Sequence, residues 1–364
     1  MKAATSLRSG KALRSDKPLR SGKLRASTIT LAHGSGGKAM RDLIDDVFVA
    51  GFDSAELNTL EDQARFDLSA LAAQGDRLAM TTDSYVVDPL FFPGGDIGKL
   101  AVTGTVNDLA VGGAIPLYLT CGMIIEEGML VEDLRRVVAS MKVTADKAGV
   151  RIVTGDTKVV HKGAADKLFI NTAGIGVIPK GIEIGAHRAK PGDVVICNGY
   201  IGDHGAAIVD ARGEYAMENT IETDCAPLGD LIQSMLKAYP DIHCMRDATR
   251  GGIATVLNEF AQASEVAIRI EETKIPIRKE VRGMCEILGL DPLYLANEGK
   301  VIALVPADQA ETVLTAMRQH PEGEHSCIVG EVSAAPAKRV ILATSFGGDR
   351  IVDMLVGEQL PRIC

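Results

Sequence analysis

Apolar residues divide the chain into alternating helix-like and strand-like runs. Helical spacing predicts helices over 38–50, 97–112 and 131–148, then over 228–239, 252–264, 279–288 and 308–320. Short apolar or alternating runs predict strands over 77–82, 118–125, 151–154 and 169–178, then over 193–198, 267–270, 300–305 and 340–343. Pro179-Lys180-Gly181 and Lys190-Pro191-Gly192-Asp193 punctuate the chain between two halves of similar α+β character. The expected organisation is a disordered basic tail over 1–27, an N-terminal α+β domain over 28–180, a second over 181–348 and a mobile tail over 349–364. Each domain should hold a mixed sheet covered by helices on one face.

Composition narrows the function classes. Residues 1–27 repeat a Leu-Arg-Ser-(Gly/Asp)-Lys pattern and carry +7 of a net charge of −9, which leaves −16 on the remainder. The repeat reads as a solvated tail, with an organelle-targeting peptide as the alternative. The acidic body argues against nucleic acid as a partner. Aromatics make up 4% of the chain and tryptophan is absent, so stacking on bases is a poor route to recognition. Seven scattered cysteines without CxxC or HxxxH spacing fit free thiols in a reducing compartment. No apolar run is long enough to span a bilayer, so no membrane partner and a cytoplasmic location are expected.

Candidate chemistry lies in small-residue loops and at the last residue. Thr82-Asp83-Ser84, Asn107-Asp108-Leu109 and Gly155-Asp156-Thr157 read as three acidic loops. Each aspartate alone suits a helix cap or Asx-turn; as a set they suit Mg²⁺ shared with phosphate oxygens. His33-Gly34-Ser35-Gly36-Gly37-Lys38 and Asp247-Ala248-Thr249-Arg250-Gly251-Gly252 precede helices, and could aim backbone N–H groups at phosphates; Phe92-Pro93-Gly94-Gly95 is a third glycine turn. Lys158 and Glu298 also stand in small-residue loops, whereas His204 reads as a structural or rim residue rather than a catalytic one. Cys364 is a candidate nucleophile, with Arg362 expected to favour its thiolate. Gly357 offers a hinge, Pro361 would stiffen the approach, and 349–358 is too polar for a strand buried throughout.

HGSGGKAM (33–40), TDSYVVDPLFFPGGDIGKLAVTGTVNDLAVGGA (82–114), VTGDTKVV (153–160), RDATRGGIATVLNE (246–259), ANEGKV (296–301) and PRIC (361–364) together resemble HypE. That is the hydrogenase-maturation, carbamoyl dehydratase family within the PurM-like superfamily of aminoimidazole ribonucleotide (AIR) synthetase and selenophosphate synthetase. The likeness runs from about Thr28 to Cys364. It implies a two-domain α+β PurM-like fold, and a homodimer whose N-domain sheets share a barrel. It also implies a site for ATP and Mg²⁺. The implied partners are the carbamoyltransferase HypF and a HypC–HypD complex. The implied reaction dehydrates a carbamoyl group on Cys364 to a thiocyanate, the source of cyanide for [NiFe]-hydrogenase iron. Catalytic roles then fall to Cys364, Glu298 (base), Lys158 and Arg250. Metal ligation falls to Asp83, Asp108 and Asp156. Cofactor contacts fall to these aspartates and to Gly36, Gly37, Lys38, Gly94, Gly95, Lys99, Asn107, Gly155, Asp247, Gly251 and Gly252. A different ATP-dependent synthetase of the superfamily, or a non-catalytic thiol carrier, are the rival readings.

Overall fold

The computed structural model describes residues 24–213, 221–357, 360 and 362–364. The repeats over 1–23 and Pro361 lie outside the described residues. Near the start of the described chain, Thr28 bridges Leu130 and Ile29 is fully buried.

The first half opens with α1 (Lys38–Leu43), a π-helical run over Ile44–Val49 and α2 (Ala50–Phe52), which together fill the helix expected over 38–50. α3 (Leu68–Ala72), β1 (Arg77–Tyr85) and a hairpin of β2 (Phe91–Phe92) and β3 (Gly95–Asp96) follow. Next come α4 (Ile97–Val111), β4 (Ile115–Glu126), α5 (Val131–Lys147), β5 (Arg151–Val160) and β6 (Leu168–Ile178). The sheet order is β1-β6-β4-β5, with β4 and β5 parallel and the other pairs antiparallel. Asp96 caps α4 by accepting from the N–H groups of Gly98 (2.7 Å) and Lys99 (3.0 Å).

The acidic-loop expectation needs correction. Asp83 lies inside β1, Asp156 inside β5 and Asp108 inside α4. β1 and β5 are edge strands, so one side of each backbone is unpaired and polar side chains there stay hydrated. The strands therefore run on through Thr82-Asp83-Ser84 and Gly155-Asp156-Thr157, where apolar patterning gives no signal.

The second half contains β7 (Asp193–Cys197), α6 (Asp203–Ala211), α7 (Gly229–Ala238), β8 (Cys244–Asp247), α8 (Gly252–Ala263), β9 (Ala267–Glu271) and α9 (Lys279–Leu288). β10 (Val301–Pro306), α10 (Ala310–Arg318), β11 (Cys327–Ser333), β12 (Arg339–Ala343) and β13 (Asp349–Val352) complete it. Seven strands order as β13-β12-β9-β11-β7-β10-β8. The segment expected as a tail thus begins as a paired strand, β13, exposed except at Val352. Among the described residues no helix is long and apolar enough to cross a membrane.

α4 joins the halves. Its N-terminal part packs against the four-stranded sheet, and Ala110 and Val111 at its end join the core around α7 and β10. Asn107 ties the two parts together. Its amide N–H₂ donates to the carbonyls of Ala226 and Glu298 (both 3.2 Å), and its Oδ1 accepts from Leu228 N–H (2.8 Å). The side chain is buried and spent on these bonds, so the structure makes it a bridge rather than a group facing a cofactor. Asn107→Ala removes hydrogen bonds to the Ala226 and Glu298 carbonyls and the Leu228 N–H. We expect a loss of about 1–3 kcal/mol and a lower thermal midpoint; an unchanged midpoint contradicts the bridging role.

Candidate active site

The bridge by α4 brings Asp108 to the C-terminal end of β8. Thr81 Oγ1 donates to Asp108 at 2.7 Å, while Arg250 Nη2 stands 4.0 Å from Asp83 Oδ1. Burial pushes the Asp108 carboxyl up, and Asp83 adds to this. Asp247 is pushed up to about 7 by burial, then by Asp108. Glu298 is pushed well above the usual carboxylate range by burial and by Asp247, Asp224 and Asp83, with Arg250 opposing. Four carboxyl groups, of Asp83, Asp108, Asp247 and Glu298, thus share one field, with Arg250 and Arg246 acting against it.

Glu298 is held by a network that sequence reading missed. Asp224 accepts from the N–H groups of Glu298 (3.0 Å) and Gly299 (3.3 Å), and pairs with Lys300 at 3.0 Å in a buried ion pair. Asn297 donates to Ala248 O (2.8 Å) and accepts from Gly202 N–H (2.7 Å). Gly299 has to be glycine, because an added Cβ would collide with the Asp224 carbonyl. Asp224 sits in Thr223-Asp224-Cys225-Ala226, a threonine-aspartate step like Thr82-Asp83, which was the available signal.

The last residues seat on this cluster. Ile363 is buried within the first domain's core, and Cys364 O accepts from Val86 N–H at 3.1 Å. Cys364, Ile363, Arg250, Gly251 and Leu360 line a cavity of about 340 Å³. Gly357, the expected hinge, has φ +88. Arg362 does not face the thiol: its guanidinium donates to Val86 O and pairs with Asp166 at 2.8 Å. The expectation of a favoured thiolate is therefore corrected. Burial, then Glu298, pushes the Cys364 thiol up to about 12, with Arg250 opposing.

Other expected site residues lie elsewhere. Across the sheet, Asp83 aligns with Thr172, Cys121 and Gly155, while Asp156 aligns with Gly122, Asn171 and Ser84. Asp156 is thus on the opposite face and three strands away, roughly 14 Å at about 4.8 Å per strand. It pairs with Lys158 at 2.7 Å, exposed like its partner. Within one chain, then, Asp83, Asp108 and Asp156 do not converge on one ion. The Gly36-Gly37 loop belongs to the Asp156 edge, since Gly34 packs on Val159; Lys38 is exposed and pairs with Asp42. Gly94 and Gly95 turn the β2–β3 hairpin against Thr223, and Lys99 Nζ donates to Gly94 O (2.8 Å). Gly251 and Gly252 both have positive φ at the start of α8; a Cβ on Gly252 would strike the carbonyl of Leu293.

Among the described residues, no three His, Cys, Asp or Glu side chains close around a metal. The crowded carboxyls at Asp83, Asp108 and Asp247, the last two raised by burial, nevertheless suit a hard divalent cation that takes its other ligands from phosphate and water.

Two family models match the chain: AIR synthase related protein, N-terminal domain, over 61–178, and AIR synthase related protein, C-terminal domain, over 190–343. Fold and site thus define a two-domain, AIR-synthase-related chain. Carbamoyl dehydratase HypE of Rhodobacter capsulatus is 59% identical over 341 residues, covering 94% of this chain and 99% of the relative. A solved structure of HypE in complex with ATP superposes with a TM-score of 0.87 at 50% identity, covering 92% of this chain and 99% of that one. A HypE–HypF complex gives 0.74 at 48%, covering 86% and 99%. The chain belongs to the HypE family of carbamoyl dehydratases.

The elevated Asp247 makes a signed prediction. Between its ordinary value of 3.8 and about 7, the unfolded chain has released this proton and the folded one still binds it. Stability without nucleotide or metal should therefore fall as pH rises through that window. Asp247→Asn should flatten the fall, as read by denaturant midpoints from pH 4 to 8; parallel curves contradict the assignment.

Proposed function

We propose that this chain performs the ATP-dependent dehydration of a carbamoyl group carried on Cys364, giving an S-cyano group for hydrogenase iron. One observation carries the reading: the Cys364 thiol is seated beside Glu298, Asp83 and Arg250, at the end of a segment with a glycine hinge.

The chemistry assigns work to each group. An amide oxygen is a poor leaving group, and transfer of the γ-phosphoryl group to it makes it phosphate. The carbamoyl nitrogen must then give up two protons as C–O breaks and C≡N forms, with ADP and phosphate as the other products. Glu298, ionised once nearby cationic charge lowers its raised pKa, takes one nitrogen proton, and the departing phosphate takes the other. Arg250 stabilises charge on the transferring phosphoryl oxygens. Mg²⁺, held by Asp83 and Asp108 with Asp247 beside them, would screen the phosphates. The seated segment shuts water out of the activated intermediate.

Asp156, Lys158, Gly36 and Gly37 enter from a second copy in this reading. Support comes from the open sheet face, where Met80 (73% exposed), Leu78 and Ile124 lie uncovered, an apolar patch suited to a homodimer with a shared barrel. The second copy would then supply Lys158 as a further cation. HypF, seen with the relative above, is the source of the carbamoyl group, and a HypC–HypD complex its recipient. All seven cysteines are free, as a reducing cytoplasm requires.

Carbamoylated protein given Mg·ATP should lose the mass of one water at the Cys364 peptide; an unchanged mass contradicts the dehydratase reading. Cys364→Ala should bind ATP yet form no thiocyanate. Mixing Lys158→Ala with Cys364→Ala subunits should restore up to roughly a quarter to a half of wild-type turnover through mixed dimers. No recovery contradicts a site built from two copies.

A further inference from the structure

One buried group faces the Cys364 segment with a proton that has no other described acceptor. His204 lies in the first turn of α6, fully buried, edge-on to Phe92 at 5.6 Å. Its Nε2 is 2.9 Å from the Ile363 carbonyl, and its Nδ1 is 2.8 Å from Thr223 Oγ1. A carbonyl oxygen only accepts, so Nε2 carries the hydrogen. Nδ1 is then an acceptor, and the Thr223 hydroxyl donates to it. Thr223 Oγ1 itself accepts from Cys225 N–H at 3.1 Å, which leaves its hydrogen free for the ring. The chain from Cys225 through Thr223 to His204 thus points one N–H at one carbonyl. Burial holds the imidazole below its usual range, which keeps it neutral in this tautomer.

The other anchors differ in kind. Arg212 donates to Arg362 O (3.1 Å), Arg362 to Val86 O, and Val86 N–H to Cys364 O; both arginines are partly exposed, so water can replace what they lose. When the segment leaves, the His204 N–H loses its acceptor inside the protein, and that imbalance favours return.

We infer that His204 is a positioning residue for the dehydration: a latch that acts through the Ile363 carbonyl to seat Cys364 beside Glu298 and to set the balance between docked and extended segments. The inference rests on the reading that the docked thiol is the reacting one. The ring does not touch the carbamoyl group, so its loss acts on seating and leaves nucleotide affinity in place.

The test measures alkylation of Cys364 by iodoacetamide in the full-length, nucleotide-free protein, read at the Cys364 peptide by mass spectrometry. His204→Phe keeps a ring and removes the donor; it should label roughly three- to tenfold faster than wild type. His204→Gln can still present an N–H to the carbonyl and should label near the wild-type rate. Single-turnover thiocyanate formation should fall in His204→Phe with the KM for ATP unchanged, and carbamoylation by HypF should not slow. Equal labelling of His204→Phe and wild type overturns the latch. So does His204→Gln labelling as fast as His204→Phe, since the ring's shape would then be what matters. If His204→Phe does not fold, Thr223→Val, which leaves the imidazole but frees its tautomer, is judged by the same comparison: faster labelling supports the latch and an unchanged rate overturns it. If wild-type protein forms no thiocyanate, the dehydratase reading fails, while the labelling comparison still decides the latch.

Discussion

The seat of Ile363 is the constraint on which the site depends. An isoleucine side chain buried in the first domain's core contributes on the order of 1.5–3 kcal/mol, and its carbonyl and those of its neighbours are hydrogen-bonded by Val86, His204 and Arg212. Against this, ordering backbone costs about 1–2 kcal/mol per residue in conformational entropy. Burial and hydrogen bonding thus oppose chain entropy, as suits a segment that must dock and leave. A carrier needs that balance: a thiol fixed permanently in its cavity could not receive its cargo, and one never fixed could not shield an activated intermediate from water.

Around that seat the electrostatics are deliberately incomplete. Asp83, Asp108, Asp247 and Glu298 repel one another, and burial raises three of them, with Arg250 and Arg246 opposing. Such a cluster stays partly protonated until positive charge arrives. Arrival of a nucleotide-bound cation would lower these carboxyls and turn Glu298 from an acid into a base. The thiol follows the same logic. Its elevated pKa keeps it from ionising beside Glu298, so the docked sulfur serves as a point of attachment rather than as a free nucleophile. Attack on the carbamoyl donor then belongs to the extended state, away from the acidic cluster.

The sequence announced much of this and concealed specific parts. Every predicted helix formed, because α5, α8, α9 and α10 carry regular apolar faces. β8, β11 and β13 escaped notice because they are short and mixed in polarity, and α6 because its glycine, alanine and histidine give little periodic contrast. The motifs located Asp83, Asp108, Arg250, Glu298 and Cys364, which the fold gathers at one domain junction. They could not reveal that Asp156 and Lys158 face away on the other edge of the sheet, since strand order and pleat decide that. Arg362 misled for a related reason: spacing of two along the chain says nothing about direction, and a left-handed φ of +52 turns its side chain to Val86 and Asp166. His204 read as a structural or rim residue, and its contact with the terminal segment was hidden because the partner lies 159 positions later.

The most direct measurement follows the carbamoyl oxygen. Protein carrying ¹⁸O in the Cys364 carbamoyl group is given unlabelled ATP and Mg²⁺ in ordinary water, and the released phosphate is weighed. Phosphoryl transfer to that oxygen predicts one ¹⁸O in each phosphate formed per thiocyanate. Thiocyanate formed with unlabelled phosphate would mean that ATP hydrolysis and dehydration are separate events, and would contradict the account.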